Sequence, residues 1–221
     1  MEWYSRGQGL TQSETSDPRR AWITRATGEL LVIFVGVTAA FIVEGYRQEL
    51  SQREEVRQAT EGILTELRRY QVRGLEHADS LSVRLERWRA ANSVGQQAVP
   101  GYYRIPGGSH PPTAAWDAAI SSGVASLFDP ELRLALGYFY TDFLGIHDNY
   151  VRRLIFIERE VLPRVEQGAE VFYQGDGRVR PEFLAEMSLL DEFGQDLRAS
   201  SRQAAFLEEW LRSGQRPSGT P

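Results

Sequence analysis

The block Leu30 to Val43, LLVIFVGVTAAFIV, is fourteen residues without a charge, and it constrains the chain more than any other feature. As a helix it rises about 21 Å at about 1.5 Å per residue, short of a hydrocarbon core of about 30 Å. The flanks extend it. Trp22 and Tyr46 sit about 36 Å apart on a helix, the spacing of aromatic anchors at two membrane interfaces. Between Trp22 and Leu30 only Arg25 and Glu29 are charged, and Arg25 can snorkel towards headgroups. The pattern predicts one transmembrane helix over 27–44, with Trp22, Arg25 and Tyr46 at the interfaces.

Two other readings fit less well. A secretory signal peptide cut near Thr38-Ala39-Ala40 would normally have a far shorter charged region ahead of it than residues 1–28. A buried core helix needs partners, and no later segment is apolar enough all round to cover this one. Orientation is finely balanced by the positive-inside rule, because Arg19, Arg20 and Arg25 on one side match Arg47, Arg53 and Arg57 on the other. Residues 1–28 carry four Arg against three acids, whereas 44–221 carry 21 Arg against 26 acids. A cytoplasmic N-terminus with an extracytoplasmic acidic domain is the preferred arrangement.

Composition then removes whole classes of chemistry. The 221 residues contain no Cys, and all 25 basic residues are Arg. That excludes disulfides, thiolate metal sites, Cys nucleophiles, P-loop lysines and Schiff bases. A net charge of -5 argues against a general nucleic-acid partner, which needs a basic face. Mean hydropathy is -0.38, the average of one apolar block and a charge-rich remainder.

Residues 1–26 are polar and read as a disordered tail. After the apolar block, Val56, Thr60, Ile63, Leu67, Tyr70, Gly74, Ala78, Leu81, Leu85 and Trp88 recur in steps of 3 and 4, a coiled-coil-like seam. No Pro lies between Pro18 and Pro100, so span and seam can form one helix to about Asn92, with Gly45, Gly62 and Gly74 as places to bend. Residues 93–113 hold four Pro and four Gly and form the main loop. Thr113 is the expected N-cap of a short helix closing at Ser121-Ser122-Gly123. Asp129, Pro130 and Glu131 start a stronger helix, whose stripe runs from Leu132 through Leu136, Phe139, Phe143 and Tyr150 to Val165. Pro163 should kink or end it. Gly175-Asp176-Gly177 suggests a small hairpin or a turn. Pro181 opens a last helix with Phe183, Met187, Leu190, Leu197, Ala204, Leu207 and Leu211 on one face, and 214–221 reads as a tail. The expectation is an all-α protein: a transmembrane helix continuing into an antiparallel bundle of three long helices and one short one over 45–213.

Gly28-Glu29 opening the apolar stretch, Gly36 and Ala39-Ala40 within it, and Glu44, Tyr46, Arg47 and Glu49 after it form one half of a pattern. The other half is Ala115-Trp116-Asp117 leading to Ser121-Ser122-Gly123, then Asp129 and Tyr138-Phe139-Tyr140. Over residues 26–160 the chain resembles an uncharacterised bacterial family of short single-span membrane proteins, although Glu44-Gly45-Tyr46 departs from the Asn-Trp usual after the span. The resemblance implies architecture and a bacterial inner-membrane location. It implies no activity.

Candidate chemistry is sparse. His77, His110 and His147 form no metal-ligand spacing, and no nucleophile elbow, phosphate loop or dinucleotide fingerprint occurs. No catalytic residue, cofactor or metal is expected. Glu29 lies about one turn into the apolar zone, where an acid faces protein or water, or sits at the interface near a helix N-terminus. Gly36 and Ala40 form a small-x-x-x-small pair suited to helix packing in a membrane. Tyr138 and Tyr140 lie off the Leu132 stripe and are candidates for a partner surface. These features point to a non-catalytic single-pass scaffold or accessory subunit, whose partners are the lipid bilayer and another protein or a second copy. The alternative is an extracytoplasmic ligand-sensing bundle with a separate transducer, which requires an inter-helix pocket lined by Arg and aromatics.

Overall fold

The computed structural model describes residues 18–102 and 111–219, without the side chains of 18–28 and 32. Its elements are helices α1 (Pro18–Ser93), α2 (Ala114–Ser121), α3 (Pro130–Phe156), α4 (Leu162–Val165) and α5 (Pro181–Ser213). Short 3₁₀ turns cover Val124–Leu127 and Ala169–Phe172, and a π-helical turn covers Ile157–Val161. The described residues are all-α apart from one isolated antiparallel bridge, Tyr173 to Val179, which closes the Gly175-Asp176-Gly177 turn. The chain divides into two units, Met1–Gln52 and Arg53–Pro221.

Within the first unit, α1 begins at Pro18, inside the stretch expected to be a tail; residues 1–17 lie outside the described residues. The Leu30–Val43 side chains that are described are exposed, Phe34 at 68% and Phe41 at 74%. The most apolar 18-residue window of this helix has a mean hydropathy of 1.8, and none of it is buried. By length and composition it can cross a membrane.

The second unit is built on the seams. On α1, Ile63, Leu67, Tyr70, Ala78, Leu81, Leu85 and Trp88 are all buried. Ile63, Leu67 and Tyr70 pack with Leu132, Leu136 and Phe139 of α3 and with Ala204, Leu207 and Trp210 of α5. Further along, Ala78, Leu81 and Leu85 pack with Tyr150 of α3 and with Met187, Leu190 and Phe193 of α5. Each such fully buried Leu or Phe contributes about 1.5–3 kcal/mol relative to exposure. The pairing fixes direction: as α1 advances, α3 advances and α5 runs backwards. Of the three long helices, α5 is therefore antiparallel to the other two, and α3 runs in the same sense as α1. Ion pairs repeat the α1–α5 register, with Arg68 to Glu208 at 2.7 Å, Asp79 to Arg198 at 3.2 Å and Arg89 to Asp191 at 2.9 Å.

The described ends of the segment after α1, 94–102 and 111–113, lie back along α1, which makes the parallel arrangement possible. The Tyr173 hydroxyl accepts from the Ala98 N–H at 2.9 Å, Gly101 lies beside Arg84, and Tyr70 donates to the Pro112 carbonyl. A crossover of this length is what a bundle with parallel neighbours requires. Helix α1 stays helical through Gly62 and Gly74, and both glycines serve close packing. A Cβ on Gly74 would collide with Ser201 Oγ of α5, and one on Gly62 would come within 3.0 Å of Ala115 Cβ.

Helix ends follow local chemistry in most places. Asp129 Oδ1 accepts from Glu131 N–H and Leu132 N–H at 3.0 and 3.1 Å, with Pro130 behind it at the first helical position. Gly214 takes φ +67 to close α5. Pro163 follows a break in the α-helical pattern, and the helix ends two residues beyond it, at Val165. A π turn precedes it, with Leu162 N–H bonded to Ile157 O, and the helical path continues to Val165. Thr113 does not cap α2; its hydroxyl bonds Asp117 Oδ2 at 2.7 Å instead.

Candidate functional site

Among the described residues four charged side chains are buried in the helices: Glu208 is ion-paired with Arg68 and Arg212, and the other three, Glu66, Arg153 and Glu186, stand beside the seams. Glu66 stands three residues after Ile63 and four before Tyr70; Arg153 holds the same relation to Tyr150 and Ile157, and Glu186 to Phe183 and Leu190. A charge at such a register is buried by the seam, so it must find a partner or remain costly. All three are buried, at 8, 9 and 6% exposure.

Glu66 is satisfied. Its Oε1 accepts the Ala115 N–H at 2.8 Å and its Oε2 accepts the Tyr140 hydroxyl at 2.7 Å. A carboxylate from α1 thus caps α2, in the place where Thr113 was expected to act. Trp116 lies parallel to the Tyr140 ring with centroids 5.5 Å apart. Burial and the adjacent Glu66 hold the Tyr140 phenol well above its ordinary pKa, because both disfavour a phenolate. The cluster is closed and structural.

Arg153 and Glu186 differ from Glu66 in being incompletely paired. They face a groove of about 420 Å³ between α3 and α5. Arg153 Nη2 donates to the Leu189 carbonyl, and its guanidinium lies 5.5 Å over the Phe193 ring. Its Nη1 is buried without a hydrogen-bond partner, and so is Glu186 Oε1. Phe156, Leu189 and Phe193 supply apolar wall, while the exposed Asn149, Arg152, Glu192 and Asp196 form the rim. Burial lowers the Arg153 pKa against the pull of Glu186, Glu192 and Asp196. Burial also raises Glu186, with Arg153 opposing. Both charged forms are therefore under-solvated in one cleft, the arrangement that a polar ligand relieves.

Tyr138 is 61% exposed, as a partner-surface residue must be. Tyr140 is not on that surface: at 2% exposure and bonded to Glu66, it belongs to the core. The reason is that α3 packs on α1 and α2 together, so a wider face than the Leu132 stripe is covered, and Tyr140 follows Leu136 by one turn. In the first unit Glu29, Gly36, Ala40 and Tyr46 are exposed, and a Cβ on Gly36 would meet nothing within 4 Å. The side chains of Trp22 and Arg25 lie outside the described residues, as does His110. His77 is pushed below its ordinary pKa by burial, and His147 lies against the Tyr150 ring. Among the described residues no three His, Asp or Glu side chains converge as metal ligands.

The sequence carries a signal for Glu66, Arg153 and Glu186, since each directly precedes a seam residue, Leu67, Leu154 or Met187, and so borders the buried face. No family model, curated protein or solved structure matches the chain.

Proposed function

We propose that this is a non-catalytic single-pass membrane protein, anchored by the Leu30–Val43 stretch, whose helical bundle serves as a scaffold or accessory subunit for another protein or for a second copy. The observation that carries the reading is the apolar, unburied window in α1, which only lipid or another helix can cover. Gly36 and Ala40 on that helix allow close approach of a second span. On the bundle, Tyr138 and the neighbouring exposed Leu134 offer apolar contact area. The resemblance noted above points to a bacterial inner membrane, and the charge balance between residues 1–28 and 44–221 prefers a cytoplasmic N-terminus with the bundle outside.

Three measurements test this. The full chain should stay with membranes through carbonate washing and, in detergent, run above monomer mass or in a defined complex; recovery only as free monomer overturns the accessory role. N-terminal sequencing that begins after Ala40 would replace the anchor by a signal peptide. Because Cys is absent, single cysteines at Ser13 or Ser126 read orientation with an impermeant maleimide, and labelling of Ser13→Cys in intact cells reverses it.

A second reading is favoured by one observation, the α3–α5 groove. Its two arginines and two phenylalanines suit a ligand-sensing bundle working with a separate transducer. A small-molecule panel read by thermal shift separates it from a purely structural groove.

A further inference from the structure

We infer that the groove between α3 and α5 is a binding site for a small zwitterion of the α-amino-acid type, its carboxylate on Arg153 and its ammonium on Glu186. The inference rests on the ligand-sensing reading and specifies its ligand. Arg153 and Glu186 both line this cavity, and each carries one buried atom without a partner: Nη1, a donor, on Arg153 and Oε1, an acceptor, on Glu186. Each belongs to a side chain more than nine-tenths buried, and neither bonds the other. A buried donor and acceptor left open cost stability that a correctly placed ligand returns.

Charge decides the ligand class. A simple anion would satisfy Arg153 but lie against Glu186, with Glu192 and Asp196 at the rim. A simple cation would satisfy the carboxylates but press on a buried guanidinium. A molecule with both charges a few ångströms apart satisfies Arg153 and Glu186 together and adds no net charge to a low-dielectric cleft. The volume of about 420 Å³ lies in the range of small-ligand pockets and holds an amino acid with its side chain against Phe156 and Leu189. Singly charged analogues lack one contact each: an amino-acid amide, a cation, loses the carboxylate, and an N-acetyl amino acid, an anion, loses the ammonium.

The test uses the full-length chain in detergent, with the standard amino acids at millimolar concentration, and a matched set of amides, N-acetyl derivatives, dicarboxylates and polyamines. At ten times Kd a zwitterion should raise Tm by about 3–6 °C. Glu186→Gln keeps the shape and should weaken binding at least about tenfold, as should Arg153→Gln, with circular dichroism confirming that each variant is folded. A zwitterion hit lost in folded Glu186→Gln supports the site. Binding of dicarboxylates or polyamines without any zwitterion overturns this inference and leaves the sensing reading standing. No shift with any probe overturns both and assigns the open groups to ordered water, and a zwitterion hit unchanged in both variants places binding elsewhere and overturns the site.

Discussion

Tyr140 on α3 donates a 2.7 Å hydrogen bond to the buried Glu66 carboxylate on α1, whose other oxygen holds the first turn of α2. Three helices thus meet on one side chain. Glu66→Ala should cost about 2–3 kcal/mol in chemical denaturation, since it leaves the Ala115 N–H and the Tyr140 hydroxyl open in a buried place. Tyr140→Phe should cost less, about 1 kcal/mol, because only one bond of the carboxylate is lost. If Glu66→Ala costs no more than Tyr140→Phe, the capping role of Glu66 is wrong.

Two glycine substitutions should move stability in opposite directions. Gly74→Ala collides with Ser201 Oγ of α5, so either Ser201 rotates and gives up its hydrogen bond to the Leu197 carbonyl or α1 shifts, and the variant should destabilise by about 1–3 kcal/mol. Gly145→Ala meets nothing within 4 Å on α3 and should stabilise by about 0.5–1 kcal/mol through helix propensity. Midpoints of urea unfolding for the two variants check the pair.

Two glutamates give stability opposite dependences on pH. Burial alone would raise Glu208, but hydrogen bonds from Arg68 and Gln71 and the charge of Arg212 hold it below the ordinary value of 4.5. Its contribution is present above 4.5 and is lost as pH falls through its folded-state pKa. Glu186 is raised, so its contribution is present below 4.5 and is lost as pH rises through its folded-state pKa. Glu208→Gln should therefore flatten the acid limb of a stability profile and cost about 1–2 kcal/mol at pH 7, a figure reduced because Arg68 and Arg212 are half exposed. Glu186→Gln should remove the decline above pH 4.5 and leave the protein as stable or more stable at pH 7. Thermal unfolding between pH 3 and 8 reads both.

A charge placed in the apolar window tests the anchor without touching the bundle. Val37→Arg adds about 2.5–3.5 kcal/mol to insertion at a helix centre and should shift part of the protein from the membrane to the soluble fraction. The circular dichroism of residues 53–219 should be unchanged, because the described residues of Leu30–Val43 are exposed. Full membrane retention of the variant would count against a single span here.

Helix boundaries and seams were legible from sequence because they are set by neighbours within one or two turns. Asp129 with Pro130, Pro181 and Gly214 mark ends by backbone chemistry alone, and the 3-and-4 spacing of Ile63 to Trp88 selects the buried face. The apolar block was equally plain. Register was legible in principle for Glu66, Arg153 and Glu186, whose charges border the seams.

Tertiary structure alone decided which groups those charges would meet. A loop over 93–113 can lead either onwards or back; with Gly101 beside Arg84 and Pro112 at Tyr70, α3 starts back along α1 and runs parallel to it, which no local periodicity encodes. That direction brings Tyr140 to Glu66 across 74 positions, pulling it off the surface, and lets a glutamate replace Thr113 as the cap of α2. It also sets α5 antiparallel against α3, so that Arg153 and Glu186 open on one groove. Periodicity states that a face is buried, and only packing states what lies opposite.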